Sequence, residues 1–378
     1  MSPAANPSPP AARSALSARD ALQMYRPDLA ALLAEGDYPT YRYAQVYEHL
    51  MHHPVAPFSQ ATALGKDLRE VLESEGASVF RLLKRTDDRD GTTKLLLANA
   101  DGSAVETVAI RYPRRTTVCI STQVGCALGC AFCVTGSIRF RRNLTVAEIV
   151  DQVREARAVL ADEGGLLQNV VFMGMGEPLL NLDAVLASLR ILKDPGGLGF
   201  SQRSLSLSTV GIPAGIRRLA EQEPQVNLAI SLHAADDALR TRLVPANRRY
   251  PLREVMQAAE DHFRLTHRKL FVEYVLLGGV NDSEKQAQKL ADLLRRRVVA
   301  VNLIPWNPGQ GEFRPSSPAA VAAFQGVLAG RGFEVTVRES KGQRIEAACG
   351  QLAAGAARRR VERVSRSRAA SPRSREGR

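Results

Sequence analysis

From Thr116 onward, short β-rich runs alternate strictly with amphipathic segments. The runs are TTVCIS, NVVFMG, SLSLS, NLAISL, LFVEYVLL, VAVNLIP and EVTVRES. Helix start signals stand between them, including the capping box Thr145-x-x-Glu148 and the pair Ser317-Pro318. Such alternation favours a parallel sheet with right-handed crossovers. We therefore predict an α/β fold, a partial and open (β/α)6 TIM-like barrel over residues 116–353, with polar motifs at the carboxyl ends of its strands.

The rest of the chain divides into four further segments. Residues 17–80 carry helical periodicity broken by Gly, Pro and Ser, which predicts a small all-helical accessory domain. Residues 81–115 predict a β-hairpin extension, because two β-rich runs flank the turn-forming sequence Asn99–Ser103. Residues 1–16 are expected to form a flexible leader, and residues 354–378 a disordered Arg-rich tail.

The net charge of +12 favours a polyanionic partner, because Lys and Arg that face phosphates release counterions on binding. The tail from Arg358 to Arg378 holds nine Arg and two Glu, so that it carries +7 and leaves +5 for the remainder. It is either a solubilising extension or an arm that holds RNA. The sequence contains neither a signal-peptide segment nor a stretch of membrane-spanning length, and a cytoplasmic protein without a membrane partner is expected.

Three of the five cysteines, Cys126, Cys130 and Cys133, form a C-x3-C-x2-C motif just after the first β-rich run. Three thiolates can ligate three irons of a [4Fe-4S] cubane and leave the fourth iron open. An open iron could chelate S-adenosylmethionine and reduce its sulfonium, which would release a carbon radical. The alternative is a zinc site completed by Cys119 or Cys349. The compact triple favours the iron–sulfur cluster, because zinc sites usually contain separated pairs of ligands.

The wider sequence resembles the RlmN/Cfr family of radical SAM RNA methyltransferases. The resemblance rests on CISTQVGCALGCAFCVTGSIRFRRNLT, GMGEPLLN, LSTVGIP, AISLHA, NLIPWNP and EAACGQL, and it covers about five-sixths of the chain. It implies an RNA (adenine-C2-)-methyltransferase that forms 2-methyladenosine at adenosine 2503 of 23S rRNA and adenosine 37 of tRNA. The alternatives are the same mechanism at adenine C8, as in the Cfr branch, or on a different RNA, and a non-catalytic, zinc-stabilised RNA-binding protein.

The resemblance also implies roles for two thiols and one carboxylate outside the cluster motif. Cys349 matches the family's methyl carrier, and Cys119 matches the thiol that attacks it and leaves a transient disulfide. Glu106 matches the carboxylate that accepts the ring proton. Without the resemblance, Cys119 would be interpreted as a buried core thiol and Glu106 as a structural side chain. Two molecules of S-adenosylmethionine per turnover, a flavodoxin-like electron donor and a monomeric enzyme are also expected.

By the same transfer of motifs, the cofactor site is expected to contain a group of residues after successive strands. These are Gly176, Glu177, Ser208, Ser231, Leu232, His233 and Asn307. Two positions depart from the family pattern, namely Arg139, where glycine is usual, and Glu346, where Asp is usual. Arg139 predicts either an added phosphate contact or an altered RNA target. The helical N-terminal unit resembles the family's accessory RNA-binding domain.

Overall fold

The structure is a computed structural model that describes residues 16–308 and 312–352. The expected flexible leader lies outside the described residues except for its last residue, and the expected Arg-rich tail lies outside them entirely. Among the described helices, none has the length and apolar character needed to cross a membrane.

Four helices form the N-terminal unit: α1 (Ala18–Tyr25), α2 (Pro27–Glu35), α3 (Thr40–His52) and α4 (Lys66–Glu75). The sequence pattern predicts one helical segment across 21–35, but the structure divides it at Arg26, whose φ of −129° and ψ of 75° are not helical. Pro27 explains the break, because its ring disfavours helical geometry in the preceding residue and it has no N–H to donate. The sequence pattern also predicts a helical segment across 59–73, but the structure forms an α-helix there only after Gly65.

This helical unit shares a hydrophobic core with two helices of the barrel, α5 (Val146–Ala161) and α6 (Leu182–Lys193). The fully buried guanidinium of Arg154 donates to the backbone oxygens of Leu50 and Ala77, each at 2.7 Å. The Tyr47 hydroxyl donates to Asp194 at 2.8 Å. Burying a cation is costly unless it is paired, and Arg154 is also paired with Asp151 at 2.6 Å. These contacts therefore fix the position of the helical unit on the barrel.

In the described residues the sheet has ten strands, and a separate two-stranded ribbon contains β5 and β6. The strands are β1 (Arg81–Asp87), β2 (Thr92–Ala98), β3 (Ala104–Tyr112), β4 (Arg115–Cys119), β5 (Gln123–Val124), β6 (Arg142–Asn143), β7 (Asn169–Phe172), β8 (Leu205–Thr209), β9 (Asn227–Ser231), β10 (Leu270–Leu276), β11 (Val299–Pro305) and β12 (Glu334–Val337). The remaining helices are α7 (Pro213–Gln222), α8 (Asp237–Leu243), α9 (Leu252–Thr266), α10 (Glu284–Leu294) and α11 (Pro318–Gly330).

The strand order confirms the predicted α/β fold with an open, parallel barrel. Strands β4, β7, β8, β9, β10, β11 and β12 are parallel neighbours in that order. Helices occupy each crossover, and the predicted capping box of Thr145 and Glu148 begins α5. The sheet does not close on itself, since β1 and β12 are its two edges.

The hairpin extension joins the barrel through an antiparallel pairing of β3 with β4, in which Val108 lies opposite Cys119. The predicted hairpin corresponds to β2 and β3, and the structure adds β1 as a third, outer strand. The side chains of β1 are mostly exposed, so its sequence has no apolar alternation to reveal it. Charged residues on such an edge also oppose pairing with other chains.

Candidate active site

A cavity of about 170 Å³ opens where the parallel strands end at their carboxyl termini. Ten of the residues expected from the sequence line it, namely Cys126, Cys130, Cys133, Gly176, Glu177, Ser208, Ser231, His233, Asn307 and Cys349. Parallel strands end at the same side of a barrel, which is why residues distant in sequence meet here. The cavity is thus the candidate active site.

The three cysteines lie on one loop, the cysteine loop (residues 125–138), which follows β5. Turn hydrogen bonds shape it, with the Cys133 amide donating to the Cys130 carbonyl at 3.2 Å and the Gly136 amide to the Cys133 carbonyl at 3.0 Å. A Cβ atom at Gly136 would stand 2.7 Å from the Cys130 oxygen, so the loop requires glycine there. The cysteines therefore reach the cavity on a tightly folded segment.

Burial raises the pKa of each cysteine thiol, for Cys126 to about 11, and the neighbouring thiolate charges add to the effect. Deprotonated thiols thus need a strong positive centre here. Within the described ranges, no three His, Cys, Asp or Glu side chains are arranged to hold a metal ion. Three thiols that one tight loop brings to the same cavity are a donor set that fits three corners of an iron–sulfur cubane.

The Gly-x-Gly-Glu-Pro turn after β7 forms one wall of the cavity. Gly176 has a φ of +97°, and a Cβ there would lie 2.5 Å from the Gln123 Cβ. Glu177 is 2% exposed, and its carboxylate accepts from the amides of Leu179 and Val210, each at 3.0 Å. Burial raises the pKa of Glu177, and these hydrogen bonds oppose the rise. The carboxylate thus fixes the turn against β8.

Two hydroxyl groups and a histidine form the next part of the wall. Ser208 on β8 and Ser231 on β9 share a hydrogen bond of 2.9 Å. His233 has a left-handed φ of 63°, and its Nδ1 accepts from the Val275 amide at 3.1 Å. Burial, and secondarily the charge of Arg240, lowers the pKa of His233 to about 3, so its ring is neutral at neutral pH.

Leu232 is the member of the expected cofactor group that does not line the cavity. Its side chain is fully buried in the main core. Its amide donates to the Glu273 carbonyl at 3.0 Å, and its carbonyl accepts from Arg240 at 3.0 Å. Leu232 directly follows β9 in extended backbone order, so the alternation of the strand turns its side chain to the face opposite that of Ser231.

Two charged residues of the cavity wall, Glu273 and Arg338, were not predicted from the sequence. Glu273 on β10 is 5% exposed, and its Oε1 accepts from Asn302 at 3.0 Å. Its Oε2 is buried and has no hydrogen-bond partner among the described residues, which indicates a place for a ligand donor. Arg338 follows β12, and the charge of Cys349, then that of Glu273, raises its pKa. A lone acid in the apolar run LFVEYVLL was the available signal for Glu273.

Cys349 lies on the Cys349 loop (residues 341–352), which packs against the cysteine loop. The Val134 amide donates to the Gly350 carbonyl at 2.7 Å, and the Thr135 hydroxyl donates to the Leu352 carbonyl at 3.1 Å. The Asn307 side chain donates to the Cys349 carbonyl at 3.3 Å. These bonds place Cys349 on the wall that also contains the three clustered cysteines.

Cys119 and Cys349 line a second, smaller cavity of about 20 Å³, together with Arg338. Burial, and secondarily the Cys349 charge, raises the pKa of Cys119 to about 12. All five cysteines are free thiols, so the disulfide expected between Cys119 and Cys349 is not formed in this structure. The structure nevertheless brings the two thiols to one cavity.

Glu106 lies outside both cavity walls. It is 1% exposed on β3, and its Oε1 stands 3.3 Å from the Lys94 ammonium. Lys94 also donates to the Glu346 carbonyl at 3.0 Å, so Glu106 reaches the Cys349 loop through this cation. Glu346 itself has a left-handed φ of 53°.

The departure at Arg139 lies beside Cys126, the first cysteine of the cysteine loop. Arg139 is exposed and forms an isolated β-bridge with Cys126. Phe140 and Arg141 follow it and are also exposed. Two cations and an aromatic ring thus stand at this edge of the site, a combination typical of surfaces that bind nucleic acid.

Comparisons with known proteins agree with this geometry. Residues 120–291 match the model of the Radical SAM superfamily. The chain is 44% identical to the "Dual-specificity RNA methyltransferase RlmN" of Syntrophobacter fumaroxidans, over 83% of this chain and 92% of that protein. It is 46% identical to the "Probable dual-specificity RNA methyltransferase RlmN" of Gemmatimonas aurantiaca, over 90% of this chain and 93% of that protein.

A solved structure is also similar, that of a radical SAM methyltransferase from Sphaerobacter thermophilus. It superposes with a TM-score of 0.84 at 42% identity, covering 86% of this chain and 97% of that chain. These relatives therefore match most of this chain and nearly all of their own length.

Proposed function

Because the chain belongs to the RlmN/Cfr family of radical SAM RNA methyltransferases, we propose that it forms 2-methyladenosine at adenosine 2503 of 23S rRNA and adenosine 37 of tRNA. Family membership implies a [4Fe-4S] cluster and S-adenosylmethionine. One observation carries the proposal: Cys349 lies on the wall of the cavity that contains Cys126, Cys130 and Cys133, and also faces Cys119 across a second cavity. A protein that only bound RNA would need no such pair of thiols.

Adenine C2 lies between two ring nitrogens and is electrophilic, so it cannot attack the methyl group of S-adenosylmethionine directly. We propose that Cys349 carries the methyl group instead. When bound, the cluster and S-adenosylmethionine supply the methyl group and the radical that activates it, with two cofactor molecules used per turnover. Cys126, Cys130 and Cys133 hold the cluster, and a wall of polar groups holds the cofactor.

The part of the cavity wall that we propose to bind S-adenosylmethionine contains two kinds of polar group. The hydroxyls of Ser208 and Ser231 and the amide of Asn307 can bond its ribose, carboxylate or adenine. The Glu273 carboxylate faces the same cavity and suits a positively charged sulfonium or amino group. Gly176 permits close approach of the backbone. Ser231 and His233 both line the cavity wall, where they can contact the cofactor. The side chain of Leu232 packs in the core and supports that wall.

The later steps fall to Glu106 and Cys119. After the Cys349 methyl carbon bonds to the base, the adduct loses one electron to the bound cluster, and Glu106 accepts the ring proton. The Cys119 thiolate then attacks the Cys349 sulfur and forms a disulfide with it. The sulfur–carbon bond breaks with its electron pair on carbon, that carbon takes up a proton to become the methyl group, and the methylated base leaves. Both thiols line one cavity, which supports this pairing of roles. A reducing partner of flavodoxin-like class would supply electrons, and the enzyme would act as a monomer.

We further propose that residues 17–80 form an RNA-binding accessory domain, residues 81–115 an extension that positions Glu106, and residues 116–353 the catalytic barrel. The RNA target requires splayed bases, because chemistry on a base edge needs the base out of its stack. We propose that Arg139, Phe140 and Arg141 contact RNA, which their exposure at the edge of the site supports.

The test begins with protein purified without oxygen. Brown protein that contains about four irons per chain supports the cluster, whereas colourless protein containing zinc contradicts it. The enzyme, S-adenosylmethionine and a reductant are then incubated with rRNA and tRNA fragments, and the nucleosides are identified by mass spectrometry. The expected product is 2-methyladenosine, and Cys349→Ala serves as the matched inactive control. Formation of 8-methyladenosine, or no product on either RNA, would contradict the proposed position or target.

A further inference from the structure

The Cys349 loop is fastened to the β-hairpin extension by several side chains. The Asp90 carboxylate accepts from the Gly342 amide at 2.7 Å. The Lys341 ammonium donates to the carbonyls of Asp90 and Arg111 at 3.1 and 3.0 Å. These contacts hold the beginning of the loop, before the segment that leads to Cys349.

Lys94 holds the next part of the loop and differs from the other contacts. Its ammonium stands 3.0 Å from the Glu346 carbonyl and 3.3 Å from Glu106 Oε1, so it touches the loop and the carboxylate together. The sheet register explains the second contact. Lys94 lies opposite Val108, and Glu106 is two residues from Val108 on the same strand face, which is a diagonal cross-strand position.

Both charged groups of this arrangement are buried, so each requires a partner. Lys94 is 9% exposed and Glu106 is 1% exposed, so both charges are largely removed from water. An ammonium group has three N–H donors, and burying it without hydrogen-bond acceptors lowers the stability of the folded protein. The Glu346 carbonyl is presented by a left-handed backbone, which a residue other than glycine adopts only where its surroundings hold it. The loop conformation and the ion pair therefore depend on each other.

We propose that Lys94 is a positioning residue that couples Glu106 to the docking of the Cys349 loop. That Glu106 is the proton acceptor and Cys349 the methyl carrier rests on the proposed function. The Lys94 ammonium contacts both the Glu106 carboxylate and the loop, and so fixes the position of one relative to the other. When Glu106 accepts a proton, the anion that faces Lys94 is lost, and the hold on the loop weakens. Proton removal would thus favour release of the loop that carries the product.

The coupling can be measured without RNA by hydrogen exchange of the holoenzyme, purified anaerobically and analysed by mass spectrometry. The amide of Gly342 donates to Asp90 of the extension and reports docking of the loop. The amides of Glu346 and Ala347 donate within the loop, to Gln343 and Gly342, and report the loop conformation that docking holds. Exchange of residues 342–352 is compared in wild type, Lys94→Met, Glu106→Gln and the double variant. We expect each single substitution to accelerate exchange about fivefold, and the double variant to equal Lys94→Met, since the two changes break one linkage.

Lys341→Met is the matched control, because it removes an ammonium that fastens the same loop to the same extension without touching Glu106. Its effect should multiply with that of Glu106→Gln. Peptides from α9 should exchange as in wild type in every variant, which verifies the fold. If Lys94→Met does not accumulate, Lys94→Gln replaces it, with the same expectation.

Two results would overturn the proposal. One is unchanged exchange of the loop in the Lys94 variant, and the other is a double variant whose effect is the product of the single effects. Neither result depends on the methylated position or on the RNA target. Failure of the coupling and failure of the proposed function can therefore be told apart.

Discussion

The amide of Val134 donates to the carbonyl of Gly350 at 2.7 Å, and this hydrogen bond joins two loops that are far apart in the chain. Val134 follows the last clustered cysteine, and Gly350 follows Cys349. The bond thus brings the proposed methyl carrier beside the proposed cluster ligands. Four predictions follow from the site that surrounds it.

Cys119→Ala should stop turnover after the protein has bonded to RNA. Without the second thiol, nothing expels the base from Cys349, so turnover should fall by about a hundredfold or more and an adduct should accumulate. Labelled RNA that migrates with the protein on a denaturing gel measures it. The double variant Cys119→Ala with Cys349→Ala is the control and should show no adduct. Free methylated RNA at the normal rate would contradict the assigned roles.

Gly176→Ala should destabilise the fold more than Gly199→Ala. Both glycines have positive φ, +97° and +68°. A Cβ at Gly176 would meet Gln123 at 2.5 Å, whereas a Cβ at Gly199 would meet nothing within 4 Å. We expect a loss of about 1 kcal/mol for Gly199→Ala, from backbone strain, and about 3 kcal/mol for Gly176→Ala, from strain and the clash together. Equal losses in denaturant titrations would show that the wall tolerates a side chain there.

Glu273→Gln should weaken binding of S-adenosylmethionine by about tenfold. The substitution preserves the shape and the hydrogen bond from Asn302, but it removes the negative charge that faces a cationic ligand. Anaerobic calorimetry of the holoenzyme measures the affinity. Glu334→Gln is the control, because Glu334 is exposed and pairs with Lys269 away from the cavity wall. Unchanged affinity in the Glu273 variant would remove this carboxylate from the cofactor site.

Acid should destabilise the protein partly through His233 and His262, whose pKa values burial lowers to about 3 and about 4. Below pH 6.5 these histidines bind protons in the unfolded chain but not in the folded protein. Their contribution to the free energy of unfolding is therefore fully present above that pH and is lost as the pH falls towards the folded pKa. Each should contribute a loss of about 1 kcal/mol between pH 7.5 and 5.5.

Denaturant titrations at the two pH values check this. His233→Gln and His262→Gln should each reduce the acid-induced loss by a similar amount, and the double variant by their sum. His262 does not line the cavity, so its variant serves as the control that separates stability from cofactor binding. An acid-induced loss that is the same in wild type and both variants would exclude these histidines as its source.

Much of the site could be predicted because strand ends are visible in a sequence. Ser208, Ser231 and Asn307 each follow or end a β-rich run, and parallel strands bring such ends to one side. Leu232 lies beside Ser231 in the same motif but occupies the core, since successive residues of a strand face opposite ways. Glu273 and Arg338 were missed because a single charge in a β-rich run has no local pattern that distinguishes a cavity wall from a solvated face.

By itself, the sequence determined the open parallel barrel and the loop of three cysteines at its mouth. Alternating periodicities and close cysteine spacing are properties of neighbouring residues, so they can be recognised without knowledge of the rest of the chain. Only the tertiary structure shows that Cys349 and Cys119, which the family resemblance pairs, line one cavity, and that Lys94 joins Glu106 to the Cys349 loop. Those contacts depend on strand register and on where the chain returns to the barrel, and both are set by packing of the whole core rather than by local sequence.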